Sequence, residues 1–260
     1  MGNAAVELEK RGPLTILRLA QPEKMNALSD QLKRELGEHV PAFFEDADAR
    51  CLLITGTDGA FCAGGDLATL RDGQTPAETR ARMQRSHSWT RLLLSGAKPV
   101  IMAVNGPAAG AGFGLALMGD IILAADNAYF LPGFSAVGVA ADLAITLTLP
   151  RAVGVPRAKD ILLSNRKVSA EEALAIGMIS RIIPSADLLA EAIRLGEQLA
   201  AGPTLGLGLT KDLINHSFEL PLDAYLAREV AVQTETFASA DCIEGVDAFF
   251  AKRRPQFQGR

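Results

Sequence analysis

Short apolar runs alternate with stretches of mixed polarity along the first half of the chain. Leu14 to Ala20, Cys51 to Thr55, Val100 to Val104 and Asp120 to Ala124 read as strands. The middle two are nearly all apolar, the pattern of strands covered on both faces. Between the first two, Ser29 fits a helix N-cap, and Leu32, Leu36 and Val40 follow at i, i+4 spacing on one buried face. Pro41, which lacks an N–H, is expected to bend or end that helix. Gly73 to Arg91 is polar and basic, with Pro76 opening a helical pattern, and reads as a surface helix or lid. Val104-Asn-Gly-Pro-Ala-Ala-Gly-Ala-Gly112 then runs from strand into a glycine-rich turn that opens a helix through Leu115 to Met118. Ser169-Ala-Glu-Glu172 has the spacing of a capping box, Gly177 ends that helix, and Met178 to Ile183 follows as a strand. From Ala186 the chain reads as almost all helix, punctuated at Gly202-Pro203 and Pro221. This order predicts an α/β core over residues 1–195 and a helical part over 196–260, docked on the core or on a neighbouring subunit.

Composition narrows the function classes. At 260 residues, 48% hydrophobic and 22% charged, the chain can bury a full core and is not disordered. Its 26 basic and 30 acidic residues give a net charge of −4, and no basic stripe with interleaved aromatics is present, so nucleic acid is not an expected partner. Cys51, Cys62 and Cys242 are odd in number and far apart, and His39, His87 and His216 stand near none of them. Neither a metal site nor a disulfide framework is expected, and a reducing cytoplasm fits. The N-terminal stretch has no basic segment leading into an apolar one, unlike a secretory signal. Pro99 to Gly119 carries no formal charge and approaches a membrane span in length, but Asn105-Gly106-Pro107 breaks it. It reads as buried strand, turn and helix, and no membrane association is expected.

Reactive side chains are scarce, with three His, three Cys, one Trp and two Tyr against 24 Gly, so backbone groups become the first candidates for chemistry. Phe61-Cys-Ala-Gly-Gly-Asp66 and Ala108-Ala-Gly110-Ala-Gly112-Phe-Gly114 each follow a buried strand. Small residues there let a ligand approach backbone N–H groups. Two such donors can hold a developing oxyanion, and losing one typically costs about 10²–10³ in rate. Two other readings remain: close helix packing, and a dinucleotide fingerprint, although the spacing is GxGxG and not GxGxxG.

On these residues the chain resembles the crotonase superfamily, the enoyl-CoA hydratase/isomerase family. The likeness spans Pro22-Glu-Lys-Met-Asn26-Ala-Leu, Phe61-Cys-Ala-Gly-Gly-Asp66-Leu, Lys98-Pro-Val-Ile, Val104-Asn-Gly, Gly119-Asp120-Ile and Ser169-Ala-Glu-Glu-Ala-Leu-Ala-Ile-Gly177. Within the family it is most similar to the ring isomerases of phenylacetate catabolism, through Ala108-Ala-Gly-Ala-Gly112, Leu205 to Lys211 and Glu244 to Phe257. The resemblance implies a spiral of ββα units, a helical C-terminal trimerisation region and a homotrimer or hexamer. It implies an acyl-CoA thioester as ligand, coenzyme A being part of the substrate and no separate cofactor being needed. The thioester carbonyl would accept from the N–H groups of Gly65 and Ala111. Ala63, Asp66 and Gly110 would line the coenzyme A path and Lys24 its nucleotide end. Lys252 or Arg253 would reach a phosphate of coenzyme A, across a subunit boundary, or else be merely solvated.

Hydratases of the family use two glutamates; at their positions this chain has Gly114 and Gly133. Without a base, water stays a poor nucleophile at neutral pH. One acid remains, in Val137-Gly-Val-Ala-Ala-Asp142-Leu, where the ring isomerases carry a catalytic carboxylate, and apolar surroundings would raise its pKa. Asp142 is therefore the expected general base of an isomerase, although it also fits the N-cap of a helix running to Leu149. The ring isomerases usually have Pro before this Asp and Cys-Gly-Gly after it; here Ala141 precedes and Leu143-Ala-Ile follows. His87 is a rival, placed like the His of 4-chlorobenzoyl-CoA dehalogenases, whose tryptophan is Phe134 here. Hydratase, hydrolase or dehalogenase chemistry through Asp142 or His87, and a coenzyme A-binding protein without activity, stay open as alternatives.

Overall fold

Val6–Arg11 (β1) pairs antiparallel with Leu14–Leu19 (β2) around a turn at Gly12, whose φ of +54° suits glycine. Ser29 accepts the Leu32 N–H at 3.1 Å and starts Asp30–Glu45 (α1), which buries Leu32, Leu36, Val40 and Phe43. Cys51–Gly56 (β3) follows, then Pro76–Ser95 (α2), Val100–Val104 (β4) and Ala108–Ala109 (β5). Ala111–Ala116 (α3), Ile121–Ala125 (β6), Tyr129–Leu131 (β7), Ile145–Val153 (α4) and Val155–Ser164 (α5) come next. Val168–Ser169 (β8), Ala170–Ala175 (α6), Arg181–Ile183 (β9) and Leu188–Ala200 (α7) complete the core. Thr204–His216 (α8), Leu222–Phe237 (α9) and Ala240–Phe250 (α10) end the chain. This computed structural model describes residues 4–68, 73 and 75–260; residues 1–3 of the N-terminal stretch and Gln74 of the expected lid lie outside them.

The main sheet runs β1-β2-β3-β4-β6-β9, parallel from β2 onward, with Leu14 opposite Cys51, Leu52 opposite Val100, and Ile101 opposite Ile121. A small sheet, β5-β7-β8, stands beside it. β4 is wholly buried, as its unbroken apolar run requires, and α7 packs across β2, β3, β4 and β6. This is a mixed α/β architecture with a mostly parallel main sheet.

Several elements differ from the sequence reading. β1 was not anticipated because its charged, edge-strand sequence buries only Val6. α1 continues through Pro41 to Glu45, its end held by Lys98 Nζ, which donates to the carbonyls of Phe43 at 3.0 Å and Asp46 at 2.7 Å. The strand expected at 178–183 shortens to Arg181–Ile183, and that at 120–124 begins at Ile121 because Asp120 turns back to accept the Val100 N–H at 2.8 Å. Ser169 caps α6 through the Glu172 N–H, but the Glu172 side chain pairs with Arg166, so only half of the box forms. A full box instead opens α2, between Thr75 and Glu78. The division expected at 195/196 falls inside α7, where Gly196 lies against Leu14; the chain turns at Gly202-Pro203.

Candidate active site

Three turns converge at the ends of β2, β3 and β4. Cys62 bridges to Ala108, Leu28 N–H donates to Gly64 O at 2.7 Å, and Ala63 N–H donates to Met25 O at 3.0 Å. Asn26 is fully buried and locks the first turn, donating to Thr57 O and Ala60 O and accepting the Gln21 N–H. The glycines are set by closeness: a Cβ on Gly112 would stand 2.2 Å from Cys62 O, and one on Gly64, at φ +96°, 2.6 Å from Ala109 O and 3.3 Å from Ala111 N. A Cβ on Gly65 would meet nothing within 4 Å among the described residues, so on their side this flank is open to a ligand. Ala111 is the first residue of α3 and Gly110 its N-cap. Among the described residues neither the Gly65 nor the Ala111 N–H has a hydrogen-bond partner. The arrangement leaves two small-residue turns, in contact through Gly64, with donors available to a carbonyl oxygen.

Lys24 and Asp66 pair at 3.0 Å across the mouth of these turns, beside Ala63, and Lys24 holds the Asp66 carboxyl below the usual aspartate range. Lys252 lies elsewhere, exposed just after α10 at φ +51°. Among the described residues no hydrogen bond or ion pair joins it to the glycine turns. Arg253 is occupied by Glu244 at 2.5 and 2.8 Å, which holds that carboxyl at about 2.

Asp142 precedes α4 but does not cap it. The helix begins at Ile145, its N-cap is Ala144, and no side chain bonds to its first amides. Asp142 Oδ1 is instead buried with no partner among the described residues. Burial pushes the carboxyl above its ordinary value, while Arg82 and Lys33, and more weakly His87, pull the other way. Gly114 ties this segment to the turns: a Cβ there would lie 3.3 Å from the Asp142 backbone O and 3.0 Å from Leu143 Cβ. Gly114 is three residues after Ala111 on α3, so the segment that carries Asp142 packs against the helix that the Ala111 amide opens.

Neither glutamate position of the hydratases is simply vacant. At Gly114 the Leu143 backbone and Cβ fill the space. Gly133 has φ +74°, which a glutamate would adopt only with strain, and its N–H is held by Asn165 Oδ1 at 2.6 Å. Leu143 and Ala144 are themselves left-handed, at φ +47° and +58°, costing about 1–2 kcal/mol each. Ala144 stands where the ring isomerases have the first glycine of Cys-Gly-Gly.

Sequence reasoning missed Arg82 and Lys33. Arg82 looked like one of several basic residues on a surface helix, yet its Nε is buried without a partner. Lys33 sits on α1, paired with Asp30 at 2.9 Å. His87, on the same helix as Arg82, is exposed. Other family-like motifs turn out to hold the fold. Asp120 and Lys211 pair at 2.9 Å, and Lys211 also donates to Leu93 O, pinning α8 to the core. Among the described residues no cluster could hold a metal ion, and no helix is long and apolar enough to cross a membrane.

A mostly parallel sheet flanked by helices, with two glycine turns in contact beside it, is the arrangement of the crotonase class, whose members act on acyl-CoA thioesters. The family profile described as enoyl-CoA hydratase/isomerase matches residues 9–260, and the chain belongs to that family. It is 41% identical over 254 residues to the 1,2-epoxyphenylacetyl-CoA isomerase of Escherichia coli K12, covering 96% of this chain and 97% of that one. It is 32% identical to 4-chlorobenzoyl coenzyme A dehalogenase-1 of an Arthrobacter species, covering 86% and 83%. The crystal structure of an enoyl-CoA hydratase from Polaromonas sp. JS666 superposes with a TM-score of 0.92 at 33% identity, covering 97% of this chain and 99% of that one.

Proposed function

We propose that the protein is an acyl-CoA isomerase that moves a double bond, or opens a ring, through an enolate. The observation that carries this reading is the buried Oδ1 of Asp142, unpartnered among the described residues, on a segment whose backbone lies against Gly114 of α3, the helix that the Ala111 amide opens. In the reaction Asp142 takes a proton from C2 of a 3-enoyl thioester. The C–H electron pair moves into the C1–C2 bond, negative charge goes to the thioester oxygen, and the N–H groups of Gly65 and Ala111 stabilise it. As the enolate collapses, the double bond shifts from C3–C4 to C2–C3 and C4 takes the proton back from Asp142. One carboxylate suffices. Hydration would need a water-activating base, and the two positions where the hydratases carry one hold Gly114, packed against Leu143, and a Gly133 whose left-handed backbone strains any side chain. Lys24, Ala63, Asp66 and Gly110 would line the coenzyme A path, and Lys252 would reach it only from a neighbouring subunit of a homotrimer or hexamer. The 41% identity to an isomerase supports the choice within the family.

A second reading, hydrolytic or dehalogenase-like chemistry, is favoured by the electrostatic reach of His87 to Asp142 and the likeness to a dehalogenase. Incubation with 3-hexenoyl-CoA, 2-hexenoyl-CoA and 1,2-epoxyphenylacetyl-CoA, with products identified by mass spectrometry and absorbance, separates the two. The expected result is isomerised thioester with neither 3-hydroxyacyl-CoA nor free coenzyme A. Hydroxyacyl product would overturn the isomerase reading in favour of hydration, and released coenzyme A in favour of hydrolysis.

A further inference from the structure

Gly114 lies on α3, three residues after the Ala111 that opens the helix, and its Cα faces the segment before α4. A Cβ added there would stand 3.0 Å from both Leu143 Cβ and Leu143 O and 3.3 Å from Asp142 O, closer than ordinary van der Waals contact. These neighbours are backbone oxygens and a Cβ, none the far end of a flexible side chain, so they could give way only if the segment itself moved. The segment is already held in a costly shape. Leu143 and Ala144 are left-handed in succession, at φ +47° and +58°, and neither is a glycine. Such strain persists where the surroundings over-determine it. Here Leu143, 4% exposed, rests on α3, while Asp142 O accepts the Ile145 N–H at 3.2 Å, so the turn is fixed from both sides. The left-handed pair also stands between Asp142 and α4, whose first amides receive no side chain among the described residues although Asp142 Oδ1 is buried without a partner there.

We propose that Gly114 is a positioning residue: its bare Cα seats the left-handed turn at Leu143 and so sets the spacing between α3, whose first amide holds the thioester oxygen, and the segment that carries Asp142. Glycine at a position where the hydratases carry glutamate is then a requirement of this site as well as the loss of a base. This rests on the roles given above to Asp142 and the Ala111 amide, and adds the residue that keeps them at their distance.

The test compares wild type, Gly114→Ala, Leu143→Gly and the double variant in steady-state isomerisation of 3-hexenoyl-CoA and in crystal structures. A methyl at 114 must push the turn by a few tenths of an ångström. As misplacement by about 1 Å can cost about 10² in rate, Gly114→Ala is expected to lose about tenfold in kcat. KM should change by less than about twofold, because the loss falls on the chemical step and not on binding. In its crystal structure Asp142 Cα is expected to lie farther from Ala111 N than in wild type. Leu143→Gly, which withdraws the Cβ from the contact, is expected to lose less on its own, and the double variant to match it, since the two substitutions act on one seat. Wild-type kcat in Gly114→Ala, an equal rise in KM, or losses that multiply in the double variant would overturn the proposal. If Gly114→Ala alone does not fold, the double variant decides: it is expected to fold and turn over like Leu143→Gly, and its failure to fold overturns the seat. A wild-type rate in Asp142→Asn would sink the base instead, and the spacing is then read from the crystal structures, where an unmoved Asp142 Cα in Gly114→Ala sinks the positioning role.

Discussion

At the scale of single residues, the site keeps a carboxylate where the fold would be more stable without its charge. Burial raises the Asp142 pKa above its ordinary 3.8. A raised carboxylate pKa leaves stability intact below the unfolded value and subtracts it as pH rises through the folded one. Asp142→Asn is therefore expected to melt higher than wild type at pH 7 and equally below about pH 3.8. A lower melting temperature at pH 7 would mean that the carboxylate is structurally required. In the proposed reaction the same shift governs activity: with Asp142 as the base it must be ionised, so kcat/KM is expected to fall on acidification at a pH above the ordinary aspartate range. Two residues further on, Ala144 is held at φ +58°. Ala144→Gly should relieve about 1 kcal/mol of strain, read as a higher denaturant midpoint with unchanged slope.

At the scale of elements, structural and chemical roles separate. The Lys211 side chain on α8 donates to Asp120 and to Leu93 O, tying the C-terminal helices to the end of α2 and the start of β6. Lys211→Met should destabilise by about 2–3 kcal/mol in chemical denaturation while leaving ligand affinity near wild type. The turns themselves were legible in the sequence because their glycines are forced by contact, as with Gly112 against Cys62 O. The role of α2 was not legible. Its basic residues look alike in sequence, and only packing distinguishes Arg82, with a buried Nε, from the exposed Arg85. For the same reason a glycine at 114 reads as a missing glutamate, whereas in three dimensions the place belongs to Leu143. The strands β5, β7 and β8, of two or three residues, are too short to leave a period in the sequence.

At the scale of the whole molecule, the core elements followed from apolar periodicity, while the surface of the C-terminal helices carries information that no period reveals. Phe218, Leu222, Val230 and Phe237 on or beside α8 and α9, and Phe249 and Phe250 on α10, are each more than two-thirds exposed. Apolar surface on that scale is expected to be covered by other copies of the chain. Sedimentation should give a trimer or hexamer, and Phe249→Glu with Phe250→Glu should shift it toward monomer; a wild-type monomer would contradict this. The proposed catalysis depends on a proton carried by the Asp142 carboxylate and a thioester oxygen held by the Gly65 and Ala111 amides. Its most direct test is the steady-state rate of 3-hexenoyl-CoA isomerisation by Asp142→Asn. The account predicts a loss of about 10²–10⁴ in kcat, with thioester affinity nearly unchanged. An Asp142→Asn enzyme that isomerises at the wild-type rate would contradict it.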